Sequence, residues 1–154
     1  MLVLAVLSPG GVNAGDHSHE EHSHGHDGAS FEVGLSNAVV VTLEEGRLAY
    51  GLHVHGIYTF EESPFAVGLG YELVVGEHLH QTVGPMVCYR PAAPLNLCFV
   101  PGVLFEDEEV TFVAHVETAW EFEVNGLHLG PALGFAYTPE DIHLSLGLHT
   151  GYSF

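Results

Sequence analysis

The chain has 154 residues, a formal net charge of −18, and only 2 basic side chains (Arg47 and Arg90) against 20 acidic ones. That balance excludes a nucleic-acid partner, since affinity for phosphate backbones comes from Lys and Arg, and it suits cations, although acidity also serves solubility. Hydrophobic residues still make up 47% of the chain, yet no run approaches the ~20 consecutive apolar residues of a membrane helix.

Residues 1–8 read Met-Leu-Val-Leu-Ala-Val-Leu-Ser, and Val12-Asn13-Ala14 has the small-residue character of a cleavage site. Residues 1–14 are therefore expected to be a secretory signal peptide, a partial one because the positive n-region is missing. The alternative is a buried strand of the mature fold. Residues 15–30 are expected to be a disordered His-rich segment, since 16–28 contain no apolar side chain to bury. Its histidines, His17, His19, His22, His24 and His26, are interleaved with Asp16, Glu20, Glu21 and Asp27. Imidazole and carboxylate together suit Zn²⁺, Cu²⁺ or Ni²⁺; a soluble spacer with incidental histidines is the competing reading.

From residue 31 to 154 the sequence falls into eight alternating runs separated by turn residues: 31–43, 47–60, 65–75, 81–90, 95–105, 110–122, 127–137 and 142–154. Strand side chains alternate with period two, so each run has two faces. In the second run Leu48, Tyr50, Leu52, Val54, Tyr58 and Phe60 oppose Ala49, Gly51, His53 and His55. In the third, Phe65, Val67, Leu69, Tyr71 and Leu73 oppose Ala66, Gly68, Gly70 and Glu72; in the seventh, Leu127, Leu129, Leu133, Phe135 and Tyr137 oppose His128, Gly130, Ala132, Gly134 and Ala136. An even number of strands closes a meander into an up-and-down barrel. Eight strands leave an interior only wide enough for side chains. The small, polar face must then be inside and the bulky apolar face outside, where lipid solvates it.

Aromatic residues sort to the two ends. Phe31, Tyr58, Phe60, Phe65, Tyr89, Trp120, Phe122, Tyr152 and Phe154 fall at one end, and Tyr50, Tyr71, Phe105, Phe112 and Tyr137 toward the other. Such girdles flank the aliphatic belt of membrane barrels. The last run, Ile-His-Leu-Ser-Leu-Gly-Leu-His-Thr-Gly-Tyr-Ser-Phe, ends on Phe154 with Tyr152 two residues before it. This ending resembles the closing strand of Gram-negative outer-membrane β-barrels, and residues 31–154 resemble their small eight-stranded members. The resemblance implies an all-β, eight-stranded antiparallel up-and-down transmembrane β-barrel in the cell outer membrane. Its partners would be outer-membrane lipid and the barrel assembly machinery, which reads such endings. With an even strand count, both chain ends would lie on the periplasmic side.

The inward set is rich in metal ligands: His53, His55, Glu72, His115, Glu117, Glu121, His128, His143 and His149. Counted along the strands, His53, His55, Glu72, His115, Glu117 and His149 lie at similar heights, as ligands for Zn²⁺ or a related divalent ion. The alternative is a hydrogen-bonded polar plug. Arg90, inward at the end where Glu32 and Glu121 lie, is expected in a structural ion pair. His78 and His80, with Glu77, are expected on a solvated outer loop, with an exterior metal-capture point as the alternative. Cys88 and Cys98 face inward on consecutive strands, as a disulfide, two free thiols or a soft-metal pair.

Function follows as a small outer-membrane barrel that binds or buffers divalent metal ions through the tail and the lumen cluster. A ligand-free structural barrel is the alternative. A lipid-modifying enzyme is weaker still, because the outward faces carry no nucleophile–base pair, so the chain is read as a non-enzyme with no catalytic residues.

Overall fold

The computed structural model describes residues 30–44, 46–107 and 109–154. The expected signal peptide and His-rich tail therefore lie outside the described residues, apart from Ser30. Nine strand segments follow in order: β1 (Ser30–Thr42), β2 (Arg47–Thr59), β3 (Phe65–Val75), β4 (Leu79–Ala92), β5 (Leu95–Glu106), β6 (Glu109–Trp120), β7 (Phe122–Val124), β8 (Leu127–Tyr137) and β9 (Ile142–Ser153). Consecutive strands pair antiparallel, except that β6 and β7 each pair with β8, and β1 also pairs with β9, so the sheet closes on itself.

The barrel has eight staves because β6 and β7 are two halves of one. Both pair with β8 in a common register, from Ala114↔Tyr137 to Ala119↔Ala132 and again from Phe122↔Leu129. The ladder breaks at Trp120 and Glu121, opposite Pro131 and Gly130. Pro131 has no N–H to donate, and Gly130 is crossed so closely by the Trp120 carbonyl that a Cβ there would collide with it. Glu121 instead donates its backbone N–H to the Pro94 carbonyl at 2.7 Å. A second interruption lies between Val83↔Val103 and Val87↔Phe99, where Pro85 and Pro101 face each other. Two-residue hairpins favour Asn-Gly because both central residues take positive φ; Asn125 and Gly126 do so between β7 and β8.

The faces fall as the alternation requires. Outward residues such as Leu69 and Leu146 are 66% and 62% exposed, while Ile57, Cys88 and Glu32 on the inner face are fully buried. Phe31 and Phe154 meet at the seam, ring centroids 5.5 Å apart, and exchange backbone hydrogen bonds of 3.1 and 3.0 Å. The mouth where this seam ends is called the near mouth below; the β1–β2, β3–β4, β5–β6 and β8–β9 turns surround the far mouth.

Two expectations are adjusted. The interior is not lined by small and polar residues alone: Ile57, Ala66, Met86, Cys88, Cys98 and Val100 form an apolar wall on β2–β5, and Leu104, Val113 and Ala136 form a smaller cluster toward the far mouth. His80 is not on a loop, because β4 starts at Leu79 and extends to Ala92. The three readings of the cysteines resolve to one. Cys88 lies directly opposite Cys98, and the two are joined in a disulfide with a Cα–Cα distance of 4.0 Å. Alkylation of the denatured, unreduced protein should accordingly label neither cysteine, and alkylation after reduction should label both. Label on the unreduced chain would contradict the pairing.

Candidate metal centre

The inner face of β1 organises the lumen. Glu32, Gly34 and Ser36 point inward in succession, and the register sets their flanking residues. Gly34 lies between His55 of β2 and Gly151 of β9; Ser36 lies between His53 and His149. Two glycines make the space that the rings fill. A Cβ on Gly34 would run into His55 Nε2 and come within 2.8 Å of His149 Cε1, and one on Gly151 would lie 3.0 Å from His149 Nε2 and 3.1 Å from Glu32 Oε1. The imidazoles of His55 and His149 therefore lean over β1 toward Glu32, stacked with centroids 5.3 Å apart and planes 5° apart.

The result is a convergence of potential ligand atoms. His55 Nε2 lies 3.6 Å from Glu32 Oε1 and His149 Nε2 lies 3.9 Å from it. All three ligand atoms lie within 4.8 Å of one another. Each is buried, and none has a hydrogen-bond partner. The local network assigns the His149 tautomer. Ser36 Oγ donates its single proton to Glu117 Oε1 at 3.1 Å, so at its 3.2 Å contact with His149 Nδ1 it can only accept. The proton of the neutral ring is then on Nδ1, and the lone pair on Nε2 points at the Glu32 carboxylate. A second carboxylate is alongside: Glu121 Oε1 is 3.6 Å from His149 Nε2 and accepts from Asn96 Nδ2 at 2.7 Å.

The sequence-derived ligand set is thus divided. His55 and His149 are brought together. His53 and Glu117 form their own pair, Nδ1 to Oε2 at 3.1 Å, and His115 faces Glu72 at 3.5 Å. These four lie deeper in the barrel and match the polar-plug reading, since each carboxylate there is taken up by one imidazole. Among the described residues, the groups of three or more whose ligand atoms converge are Glu32–His55–His149 and Glu32–Glu121–His128. Glu121 and His128 were counted among the inward ligand-type residues but not among the six at similar heights, and Glu32 was read only as a counter-ion for Arg90. The signal that could have found Glu32 is the glycine pattern: Gly34 and Gly151 sit where a side chain would otherwise separate it from the histidines.

Arg90 is where the sequence reading put it, 2.6 Å from Glu32 Oε2 and 4.0 Å from Glu121 Oε2. His78 lies 3.4 Å from Asp107 at the far mouth. His80 is 3.0 Å from Glu106, and His143, also inward there, is 3.5 Å from Asp141. His78, His80, Glu106, Asp141 and His143 line a cavity of about 580 Å³; one of about 760 Å³ at the near mouth has Arg90, Glu121 and His128 among its walls.

No family model matches the sequence, and no curated protein matches it. Solved structures do match in shape. The Neisserial surface protein A barrel superposes with a TM-score of 0.58 at 8% identity, over 82% of this chain and 97% of that one. The Yersinia pestis outer membrane protein Ail, in a phospholipid bilayer nanodisc, gives 0.55 at 11% identity, over 80% and 99%. The N-terminal β-barrel domain of Pseudomonas aeruginosa OprF gives 0.53 at 13% identity, over 80% and 97%. The fold is therefore the closed eight-stranded antiparallel barrel found in outer-membrane proteins.

Removing one partner of a buried pair strands the other in low dielectric, at a cost of about 3–5 kcal/mol. Glu117→Ala should lower the unfolding free energy of the refolded barrel by about that much, because both His53 and Ser36 lose their acceptor. The paired change His53→Leu with Glu117→Leu should cost less than Glu117→Ala alone. A urea titration that finds the double variant less stable would remove the pair from the plug.

Proposed function

We propose that this chain is a small outer-membrane β-barrel that binds a divalent transition metal ion in the near half of its lumen, through Glu32, His55 and His149. The single observation that carries the reading is the meeting of three buried, partnerless ligand atoms. The His149 Nε2 lone pair and the Glu32 carboxylate oxygen face each other out of water, an arrangement that a cation between them would relieve. The chemistry of the donors fits Zn²⁺, Cu²⁺ or Ni²⁺. Zinc binds imidazole nitrogen and carboxylate oxygen at about 2.0–2.2 Å in tetrahedral sites, which puts ligand atoms roughly 3.3–3.5 Å apart. The separations of 3.6 and 3.9 Å to Glu32 Oε1 need to contract by only a few tenths of an ångström. Glu121 or a water would complete the coordination, and Ser36 holds the His149 ring in its ligating tautomer.

Membrane insertion is supported by the continuous apolar outer face. Leu, Val, Phe and Tyr side chains around the barrel are exposed, with aromatics at both rims. A soluble monomer rarely carries apolar patches beyond a few hundred Å². Insertion like that of other outer-membrane barrels puts the near mouth, and residue 30 with it, on the periplasmic side. The tail histidines His17, His19, His22, His24 and His26 would then collect metal beside the same mouth, in weak exchangeable sites that must order the chain to bind. No reaction is assigned: His143 near the far rim points inward, away from lipid.

The ligand-free structural barrel keeps two observations in its favour. Arg90 already sits on Glu32, and the deeper pairs satisfy themselves.

Two experiments test the proposal. Carbonate extraction should leave the protein in the membrane fraction, and release into the soluble fraction would rule out the barrel as an integral one. Elemental analysis should find one tightly held Zn²⁺ in full-length protein whose five tail histidines are changed to Ala, after refolding from metal-stripped material. His55→Ala, His149→Ala or Glu32→Ala added to that background should lose it, whereas His115→Ala should keep it. No bound metal before these changes would leave the structural barrel in its place.

A further inference from the structure

Glu32 and Glu121 each offer one oxygen to the metal position just described and the other oxygen to a second point nearer the mouth. The Oε1 atoms face His149, at 3.9 and 3.6 Å. Glu32 Oε2 lies 4.0 Å from His128 Nε2 and Glu121 Oε2 3.7 Å from His128 Nδ1, and the three residues bring one ligand atom each within 4.8 Å of one another. Two carboxylates that share their oxygens between two such positions have the layout of a bridged two-metal site. His128 is prepared as the end ligand. Ser153 Oγ donates to Glu32 Oε2 at 3.4 Å, so at its 2.8 Å contact with His128 Nε2 it accepts. The lone pair of that ring is then on Nδ1, the atom 3.7 Å from Glu121 Oε2.

The second point is already filled. Arg90 Nη2 lies 2.6 Å from Glu32 Oε2 and 4.0 Å from Glu121 Oε2, while Nη1 donates to Thr59 Oγ1 at 3.2 Å. We infer that Arg90 is a built-in cation standing in the second position of a carboxylate-bridged pair, and that it restricts the barrel to one divalent metal ion. The guanidinium cannot be deprotonated at any working pH, so the position stays closed. Arg90 also borders the near-mouth cavity with Glu121 and His128; without it, a metal ion arriving from that mouth would meet three ligands and no opposing charge.

This inference rests on the reading of Glu32, His55 and His149 as a metal site, and the test separates the two. The full chain with tail histidines changed to Ala is refolded metal-free in detergent, folding is checked by the mobility of unheated samples on gels, and bound Zn²⁺ is counted by elemental analysis and calorimetry. The expected stoichiometry is one. Adding Arg90→Gln should raise it to two, and Arg90→Lys, which restores a cation, should return it to one. Adding His128→Ala to Arg90→Gln should also return it to one. Arg90→Gln with a stoichiometry still at one overturns the inference and leaves the metal site standing; no zinc in any variant overturns both. Should Arg90→Gln fail to fold metal-free, it is refolded in excess Zn²⁺ and dialysed before counting: two bound ions support the inference, and one, or failure to fold with zinc present, overturns it.

Discussion

The volume inside a closed eight-stranded sheet is the constraint on which the rest of this molecule depends. Staves about 4.8 Å apart closing on themselves leave room for side chains and nothing else. Bulk must therefore go outside, which produces the apolar surface. Every large inward group needs a small one across from it. The glycines at 34, 70, 134 and 151 are the counterparts of the imidazoles: a Cβ on Gly70 would come within 2.8 Å of His53 Nε2 and one on Gly134 within 3.0 Å of His115 Nε2. Beside the histidines, Ile57, Met86 and Val100 fill the remaining space on β2–β5.

Charge follows from the same confinement. The lumen holds Glu32, Glu72, Glu117 and Glu121 and a single strong cation, Arg90. A buried carboxylate costs several kcal/mol unless it is paired and hydrogen-bonded. The deeper half resolves this with one-to-one pairs, one imidazole to one carboxylate, and Ser36 linking Glu117 to His149. The near half does not resolve it. One guanidinium serves two carboxylates, and Glu32 Oε1, His55 Nε2 and His149 Nε2 remain without partners. The excess of acceptors in a packed interior is what turns a structural plug into a metal-binding reading.

Much of this is legible in the sequence, for physical reasons. Period-two alternation reports which face each side chain takes, and the turn residues report where staves end, so Leu127–Tyr137 has the expected bounds. Alternation across Trp120, Glu121 and Phe122 survives the break in the ladder, which is why one stave was expected where β6 and β7 lie. Which ligand atoms converge on one point was not legible. Barrel strands are tilted by about 35–45°, so counting from strand ends does not fix which side chains meet. Counting grouped His53, His55, Glu72, His115, Glu117 and His149, and these do adjoin, the His53 ring lying 5.4 and 5.6 Å from those of His55 and His115; the register decides which of them also meet Glu32. Glu32 was visible only as a counter-ion for Arg90, because its second oxygen acquires a role only once two other strands bring imidazoles to it. The cysteines were left among three readings since pairing needs their exact opposition across β4 and β5, which the turn between them sets.

The account stands most directly on where a metal ion sits. Crystals of the zinc-loaded barrel, with data collected on both sides of the zinc absorption edge, locate it without reference to activity. The account predicts one anomalous peak in the lumen, about 2 Å from each of Glu32 Oε1, His55 Nε2 and His149 Nε2. A lumen without a peak, or a peak held by His53 and His115 with the Glu32 group empty, would contradict it.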